Sequence, residues 1–359
     1  MKKIFVIILL VFGISALSGC NGGPVLNILN WGEYINEDLI AEFEALYNVR
    51  VEIDPAESNE AMYTRINAGT TKYDIAVPSD YMIHKLYKEN LLIELDFDKL
   101  PNYKSTYFDP NLEALRADYF ENNQKYAVPY FWGTLGIMYN NKKPRIKELV
   151  EEYEWEVFFN KDVTGDAKVA MYNSSRDAIA AAELYLGMSL NTTSRNDLQT
   201  VENLLKQQNY FTWGTDNLKQ MVADGNCDIA LVYSGDFFDM LYGTLEEDGE
   251  VTYNMHVPNV NNIWFDGMVI PKTSENIDLA HQFINFMLDP DNAYENATEV
   301  GYCPTLTSAY EALLEDPDFT EVVTNYPFYP GDITNGEIYQ DLGQEIYELM
   351  DTILSNAKS

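Results

Sequence analysis

Between residues 25 and 95 the chain alternates short apolar strands with amphipathic helices, and few architectures accommodate that rhythm. Asn27 to Leu29 reads as a strand. Asn36 can cap the helix that follows, with Glu37 and Asp38 at its positive N-terminal end. Leu39, Ile40, Phe43, Leu46 and Tyr47 mark one helical face. Val49, Val51 and Ile53 alternate as a second strand, and Asn59 to Ile66 reads as a helix. "YDIAVPSDY" is a third strand running into a turn, followed by a helix from Met82 to Glu89. A βαβαβ order of this kind predicts a largely parallel sheet flanked by helices.

The rhythm restarts in "AKVAMYNSSRDAIAAAELYLG" and "DIALVYSGDFFDML", each strand, turn and helix. "NIWFDGMVIP" reads as a further strand, with a helix from Ile277 to Leu288 behind it. A Pro- and Asn-rich stretch from Pro317 to Gly336 precedes a last helix expected over Tyr339 to Leu354. At 359 residues the chain is too long for most single cores. Two α/β lobes joined near "YFWGTLGIMYN" are therefore expected.

The first twenty residues stand apart from that fold. "MKK" is a charged start, Ile4 to Leu17 is apolar, and Leu17-Ser18-Gly19-Cys20 closes the run. Fourteen apolar residues are too few to span a bilayer comfortably. The ending resembles a bacterial lipobox, which implies a signal peptide over 1–19, cleavage before Cys20 and a lipid on Cys20. The plainer alternative is an ordinary signal peptide followed by a chance cysteine. Residues 20–24 then form the lipidated Cys and a short tether. No later segment reads as transmembrane.

Loss of Lys2 and Lys3 with the leader takes the formal charge from −34 to −36. Such a surface disfavours nucleic acid and anionic membranes and draws in cations, although a solvated exported surface accounts for much of it. Cys227 and Cys303 can pair or stay free, and no metal-ligand spacing surrounds them.

The chemistry gathers in the turns after the strands, where ligands of α/β folds usually sit. Trp31, Glu33 and Tyr34 follow the first strand, and Ser79, Asp80 and Tyr81 follow the third. Asn173, Ser174 and Asp177 follow "KVAMY", and Tyr233, Ser234 and Asp236 follow "DIALV". Trp264 and Asp266 open "NIWFDGMVIP", two apart and so on one face of a strand. Rings and carboxylates recur together, and Arg176 is the exceptional cation. A linear di- or polyamine needs this mixture. Each ammonium needs a carboxylate against its desolvation. Each methylene gains about 0.8 kcal/mol against an apolar wall, and a cation over a ring gains roughly 0.5–2 kcal/mol.

Bland readings stand beside these. Trp31 can be a core anchor, Asp177 and Asp236 helix caps, and Asp80 plain solvated charge. The 26 tyrosines largely suit an aromatic-rich core. His84, His256 and His281 are far apart, and no catalytic motif appears, so neither an enzyme nor a cofactor is indicated. Paired carboxylates could serve a glycosidase, but nothing separates an acid from a base.

"NWGEYI", "ESNEAMYTRI", "YDIAVPSDY", "VPYFWGTLGIMYN", "IWFDGMVIP", "INFMLDPDNA" and "VGYCPT" together resemble one family over nearly all the mature chain. That family is the substrate-binding lipoproteins of spermidine/putrescine ABC transporters. The resemblance implies a two-lobed α/β fold of the type II periplasmic-binding-protein class. Each lobe has a mixed, mainly parallel sheet, and the ligand cleft lies between lobes. Residues 25–135 with 264–300 would form one lobe, and 136–263 with 301–359 the other. It implies ligand contacts from Trp31, Glu33, Tyr34, Ser79, Tyr81, Asp177, Tyr233, Trp264, Asp266, Tyr302 and Tyr339. Asp177 stands where the family has a Glu, Tyr233 where a Trp is common, and Tyr339 where an amide is common. Ser174 replaces an acid that spermidine binders tend to have, which weakens the grip on a third nitrogen. The resemblance further implies a monomer anchored extracytoplasmically to the bacterial cell membrane, with a polyamine ligand and ABC permease subunits as partners. Two other readings stay open. One is a two-lobed receptor for another cationic solute or a metal such as ferric ion, although the adjacent tyrosine pair of such receptors is absent. The other is an extracellular hydrolase.

Overall fold

The computed structural model describes residues 23–119, 123–247 and 249–359. The expected signal peptide and Cys20 lie outside them. Strand β1 (Val25–Asn30) lies parallel between β2 (Arg50–Pro55) and the two-residue β3 (Ile75–Ala76), with Ile28 opposite Ile53 and Ile75. The helix Glu37–Tyr47 is capped as expected: Asn36 accepts from the N–H groups of Asp38 and Leu39. It buries Leu39 and Phe43. Leu46, assigned to that face from its spacing, is 64% exposed; the covered stripe is the one through Leu39 and Phe43, where Phe43 meets Phe283 and Phe286.

The centre of the molecule is β4 (Ala127–Asn140), fourteen residues all buried. The other strands are β5 (Val169–Tyr172), β6 (Thr212–Gly214), β7 (Ile229–Tyr233), β8 (Tyr253–His256), β9 (Val260–Val269), β10 (Cys303–Pro304) and β11 (Asn335–Glu337). Along its first half β4 pairs antiparallel with β9, from Ala127 opposite Val269 to Thr134 opposite Ile263. From Leu135 onward it pairs with β7, and from Ile137 with β8. The strand order β2-β1-β3-β9-β4-β7-β5-β6 is thus two half-sheets sharing one strand. Cys303 and Pro304 add to the first half, opposite Trp132 and Phe131. A register shift between Pro129 and Trp132 interrupts the β4–β9 ladder. Bulges of this kind re-aim side chains, and Tyr130 is turned toward the loop after β1, where its hydroxyl bonds the Tyr34 carbonyl.

The helix Ser175–Leu186 buries most of its circumference, from Arg176 through Leu184, as expected of a helix packed on all sides. Glu183 is trapped in it at 1% exposure, and neither carboxylate oxygen has a partner among the described residues. Burial pushes its pKa up to about 8, with Arg176 opposing. A carboxylic acid whose pKa is raised in the folded state loses stability as pH climbs toward that value. Glu183→Gln should therefore be the more stable protein above pH 8, by up to about 4 kcal/mol, with the gap closing toward pH 5. Urea melts at pH 5, 7 and 9 test this, and a constant gap would refute it.

The last helix spans Gln344–Ala357, not Tyr339 to Leu354 as the spacing suggested. Residues 338–340 continue β11 as extended chain because the Asn191 side chain acts as a strand partner. Its amide donates to the Ile338 carbonyl (2.8 Å) and its oxygen accepts from Gln340 N–H (2.7 Å). This presents Tyr339 from an extended segment. Cys227 and Cys303 are both buried and free. Among the described residues, no helix is long and apolar enough to cross a membrane.

Candidate functional site

The turn after β1 is built from buried polar groups. Asn30 donates to the Tyr34 carbonyl (3.3 Å), and Tyr130 hydroxyl donates to the same oxygen (2.9 Å). Asn296 in turn donates to Tyr130 (2.8 Å) and accepts from Asn36 N–H (2.9 Å). With its carbonyl fixed, Tyr34 directs its hydroxyl to Asp266 Oδ2 at 2.8 Å. Glu33 holds φ at +50°, a left-handed conformation costing a non-glycine residue about 1–2 kcal/mol. Its side chain is exposed, so Glu33 does not join the buried cluster. Trp31 is half-buried, and its Nε1 is buried with no hydrogen-bond partner among the described residues.

The turn after β3 meets Asp266 from another side. Ser79 forms a β-bridge with Asp266. The Asn59 side chain accepts from Ser79 N–H (2.9 Å) and donates to Ser79 Oγ (3.0 Å). Tyr81 donates its hydroxyl to Glu60 (3.0 Å). Asp80, read from sequence as a solvated charge, is fully buried, and its Oδ1 accepts from Tyr81 N–H. The reason is β9, which runs alongside this turn and covers it.

The opposite half-sheet supplies the second wall. Ser174 Oγ caps the Ser175–Leu186 helix by accepting from Asp177 N–H. The Asp177 carboxylate itself accepts from Tyr339 hydroxyl (3.2 Å), with the Tyr233 hydroxyl beside it. The Arg176 guanidinium lies 4.2 Å over the Tyr339 ring and donates through Nη2 to Asn191 and the Gln340 carbonyl. The helix Ser234–Glu246 begins at Tyr233 without a side-chain cap, so Asp236 is not the cap its position suggested. It is buried against Lys219 (3.4 Å) and the Tyr302 hydroxyl (3.4 Å), while Lys219 also pairs with Asp239 (2.8 Å).

Rings connect the walls edge to face. Tyr34 meets Tyr302 at 5.2 Å, Tyr302 meets Trp264 at 5.7 Å, Trp264 meets Tyr233 at 5.8 Å, and Tyr233 meets Tyr172 at 5.4 Å. Tyr81 meets Tyr339 at 6.4 Å across the cleft, and Lys88 pairs with Asp341 there at 2.9 Å. Of the residues expected from sequence, Tyr34, Ser79, Tyr81, Asp177, Tyr233, Trp264, Asp266, Tyr302 and Tyr339 therefore join one connected box. Tyr130, Tyr172, Asp80 and Asp236 belong to it too. Tyr130 and Tyr172 carried no signal beyond an apolar strand. The two acids stood beside expected ligands but were given other roles.

The electrostatics of the box are one-sided. Burial lifts the Asp266 pKa to about 6, while the nearby Ser79 and Tyr34 hydroxyls pull it back. Burial likewise raises Asp236 to about 6 against Lys219, raises Asp177, and raises Asp80 well above its ordinary value. Burial also pushes the tyrosine hydroxyls up, so they remain neutral donors. Asp266 Oδ1 and Asp80 Oδ2 have no hydrogen-bond partner among the described residues. Buried acceptors without donors, between flat apolar walls, are stabilised by an organic cation and disfavour an anion.

Two α/β halves that share a strand and enclose such a box define a two-lobed solute receptor. Residues 38–327 match the family profile of the bacterial extracellular solute-binding proteins, and the chain belongs to that family. It is 28% identical over 346 residues to the putrescine-binding periplasmic protein SpuD of Pseudomonas aeruginosa (strain UCBPP-PA14), covering 94% of this chain and 92% of SpuD. It is also 28% identical to the spermidine/putrescine-binding periplasmic protein of Escherichia coli (strain K12), covering 94% and 93%. The solved structure of the spermidine/putrescine ABC transporter substrate-binding protein PotD from Streptococcus pneumoniae superposes with a TM-score of 0.75. It is 32% identical, over 94% of this chain and 99% of that one.

Proposed function

We propose that this chain captures a linear polyamine, putrescine or spermidine, outside the cytoplasm and hands it to the membrane subunits of an ABC importer without chemically altering it. One observation carries the reading. Asp266 is 5% exposed, enclosed by tyrosines and Trp264, and keeps one carboxylate oxygen without a donor among the described residues. A primary ammonium supplies three N–H donors and the opposite charge, and its alkyl chain suits the aromatic walls. The names of SpuD, PotD and the Escherichia coli relative support the same class. In this reading Trp31, Tyr34, Ser79, Tyr81, Asp177, Tyr233, Trp264, Asp266, Tyr302 and Tyr339 contact the amine, and Glu33 reaches it from the rim. The hinge lies where β4 exchanges β9 for β7. The lobes are 25–135 with 264–300 and 136–263 with 301–359, except that residues 303–306 join the first, where Cys303 and Pro304 pair with Trp132 and Phe131 and Leu306 bridges Phe108. Cys20 carries the lipid that holds a monomer at the membrane.

The test is a melting series on the protein from Asn21 onward with putrescine, cadaverine, spermidine, lysine and ferric ion. A ligand at 100 times its Kd adds about 2.7 kcal/mol to folded-state stability. Putrescine or spermidine should raise the melting temperature by several degrees and be recovered unchanged by mass spectrometry. A shift with ferric ion alone, or an altered amine, would refute the reading.

A further inference from the structure

We propose that Asp80 is the second carboxyl of the ammonium seat at Asp266, and that the pair gives up a proton when the amine arrives. This rests on the polyamine reading above. Asp80 opens the helix Asp80–Lys88, and its neighbour Ser79 bridges to Asp266 across the sheet edge. The ordinary role for an acid there is to favour the positive helix end, and Oδ1 does so by accepting from Tyr81 N–H (2.6 Å). That role needs one oxygen and works at a surface. It does not account for a side chain at 0% exposure whose Oδ2 has no hydrogen-bond partner among the described residues. Asp266 Oδ1 is in the same condition.

Two neighbouring buried carboxyls with no cation bonded to either among the described residues cannot both ionise cheaply, and one bound proton relieves the repulsion by turning an acceptor into a donor. The groups around the pair leave that proton in place. Tyr34 donates to Asp266, and Tyr130 and Tyr302 face it as neutral hydroxyls. Glu60 is engaged by Tyr81. Arg176 is the cation that acts on Asp80, but its Nη2 is bonded to Asn191 and Gln340, and its Nε and Nη1, without a partner among the described residues, form no bond to Asp80. Burial, and after it the Asp266 charge, favour the protonated form of Asp80, with the Tyr81 N–H, Arg176 and the Phe265 N–H opposing. An entering alkylammonium, which keeps its own protons at neutral pH, replaces the shared proton as counter-charge. The proton leaves to solvent, and the seat becomes a doubly ionised pair around one cation. Affinity then weakens on acidification, by up to about tenfold per pH unit for one proton released.

Titration calorimetry with putrescine at pH 7, in phosphate, HEPES and Tris, reads the proton directly from the dependence of measured heat on buffer ionisation enthalpy. The expected result is release approaching one proton per amine bound, with Kd rising as pH is lowered from 7.5 to 5.5. Asp80→Asn should abolish the release at pH 7 while still binding putrescine, leaving only the weaker pH dependence below about pH 6 that Asp266 itself contributes. The wild-type buffer series needs no variant to fold. Equal heats in all three buffers would overturn the exchange, as would Asp80→Asn releasing as many protons as the wild type. Absence of any binding heat in every buffer would instead overturn the polyamine reading itself, and the exchange with it.

Discussion

Asp266→Asn is expected to weaken polyamine binding by at least two orders of magnitude while making the ligand-free protein less sensitive to rising pH. The loss of affinity follows from burial. Removing one partner of a desolvated charge pair costs about 3–5 kcal/mol, much of it the cost of leaving the other charge buried alone. The stability effect has the opposite sign. The folded-state pKa of Asp266 is raised from 3.8 to about 6, chiefly by burial. The folded protein therefore binds more protons than the unfolded chain in that window, and its stability falls as pH rises from about 4 to about 6. That slope is worth up to about 3 kcal/mol, and the asparagine variant lacks it. An amide in place of Oδ1 leaves a buried N–H to satisfy, which offsets about 1–3 kcal/mol of the gain. The variant's advantage should thus grow from pH 4 to pH 6 and then level off. Calorimetric melts at pH 4.5 and 7.5, with titrations of putrescine, measure both. Unchanged affinity, or a wild type that keeps pace with the variant between those pH values, would remove Asp266 from the ammonium seat.

The second large effect comes from glycine. A Cβ at Gly235 would lie 2.0 Å from the Tyr302 ring, and one at Gly133 would lie 2.4 Å from Trp264 and 2.6 Å from Ser234 Oγ. Neither ring can step aside freely. Tyr302 is held against Tyr34 and Trp264, and Trp264 against Tyr233. Overpacking of this kind costs about 1–3 kcal/mol, and here the displaced rings are the walls of the box. Gly235→Ala and Gly133→Ala should each lower putrescine affinity by about ten- to a hundredfold. Gly243 sits on the same helix as Gly235, and a Cβ there meets nothing within 4 Å. Gly243→Ala should leave affinity unchanged and add about 0.5–1 kcal/mol of stability, since alanine loses less backbone entropy in a helix. Equal affinities for the Gly235 and Gly243 variants would show that Tyr302 does not bound the ligand.

Much of the fold was legible because its signals are local. Asn36 caps its helix through bonds to residues two and three further on, and Val51 and Ile53 alternate along a strand whose outer face is half covered. The positions of Tyr34, Ser79, Tyr233 and Asp266 followed from the same periodicity, since a turn between strand and helix is defined by its flanks. The chain's own residues, in order, thus establish two α/β halves, aromatic and acidic turns after the strands, and an excess of carboxylate over cation.

The burial state of each acid was not legible, because it depends on what another part of the chain lays over it. Asp80 is dry because β9, about 185 residues later, runs beside its turn. Asp236 faces Tyr302 and Lys219 because β10 brings residue 302 beside β4, and not because of any feature of its own helix. Tyr339 reaches Asp177 from an extended segment only because Asn191 holds residues 338–340 out of a helix. Glu33 sits in the most suggestive sequence stretch, yet its backbone geometry directs it to solvent. Whether a carboxylate is hydrated charge or half of a binding site is a matter of desolvation. Desolvation is set by strand pairings between distant segments, so it emerges only once β4 has drawn both half-sheets together.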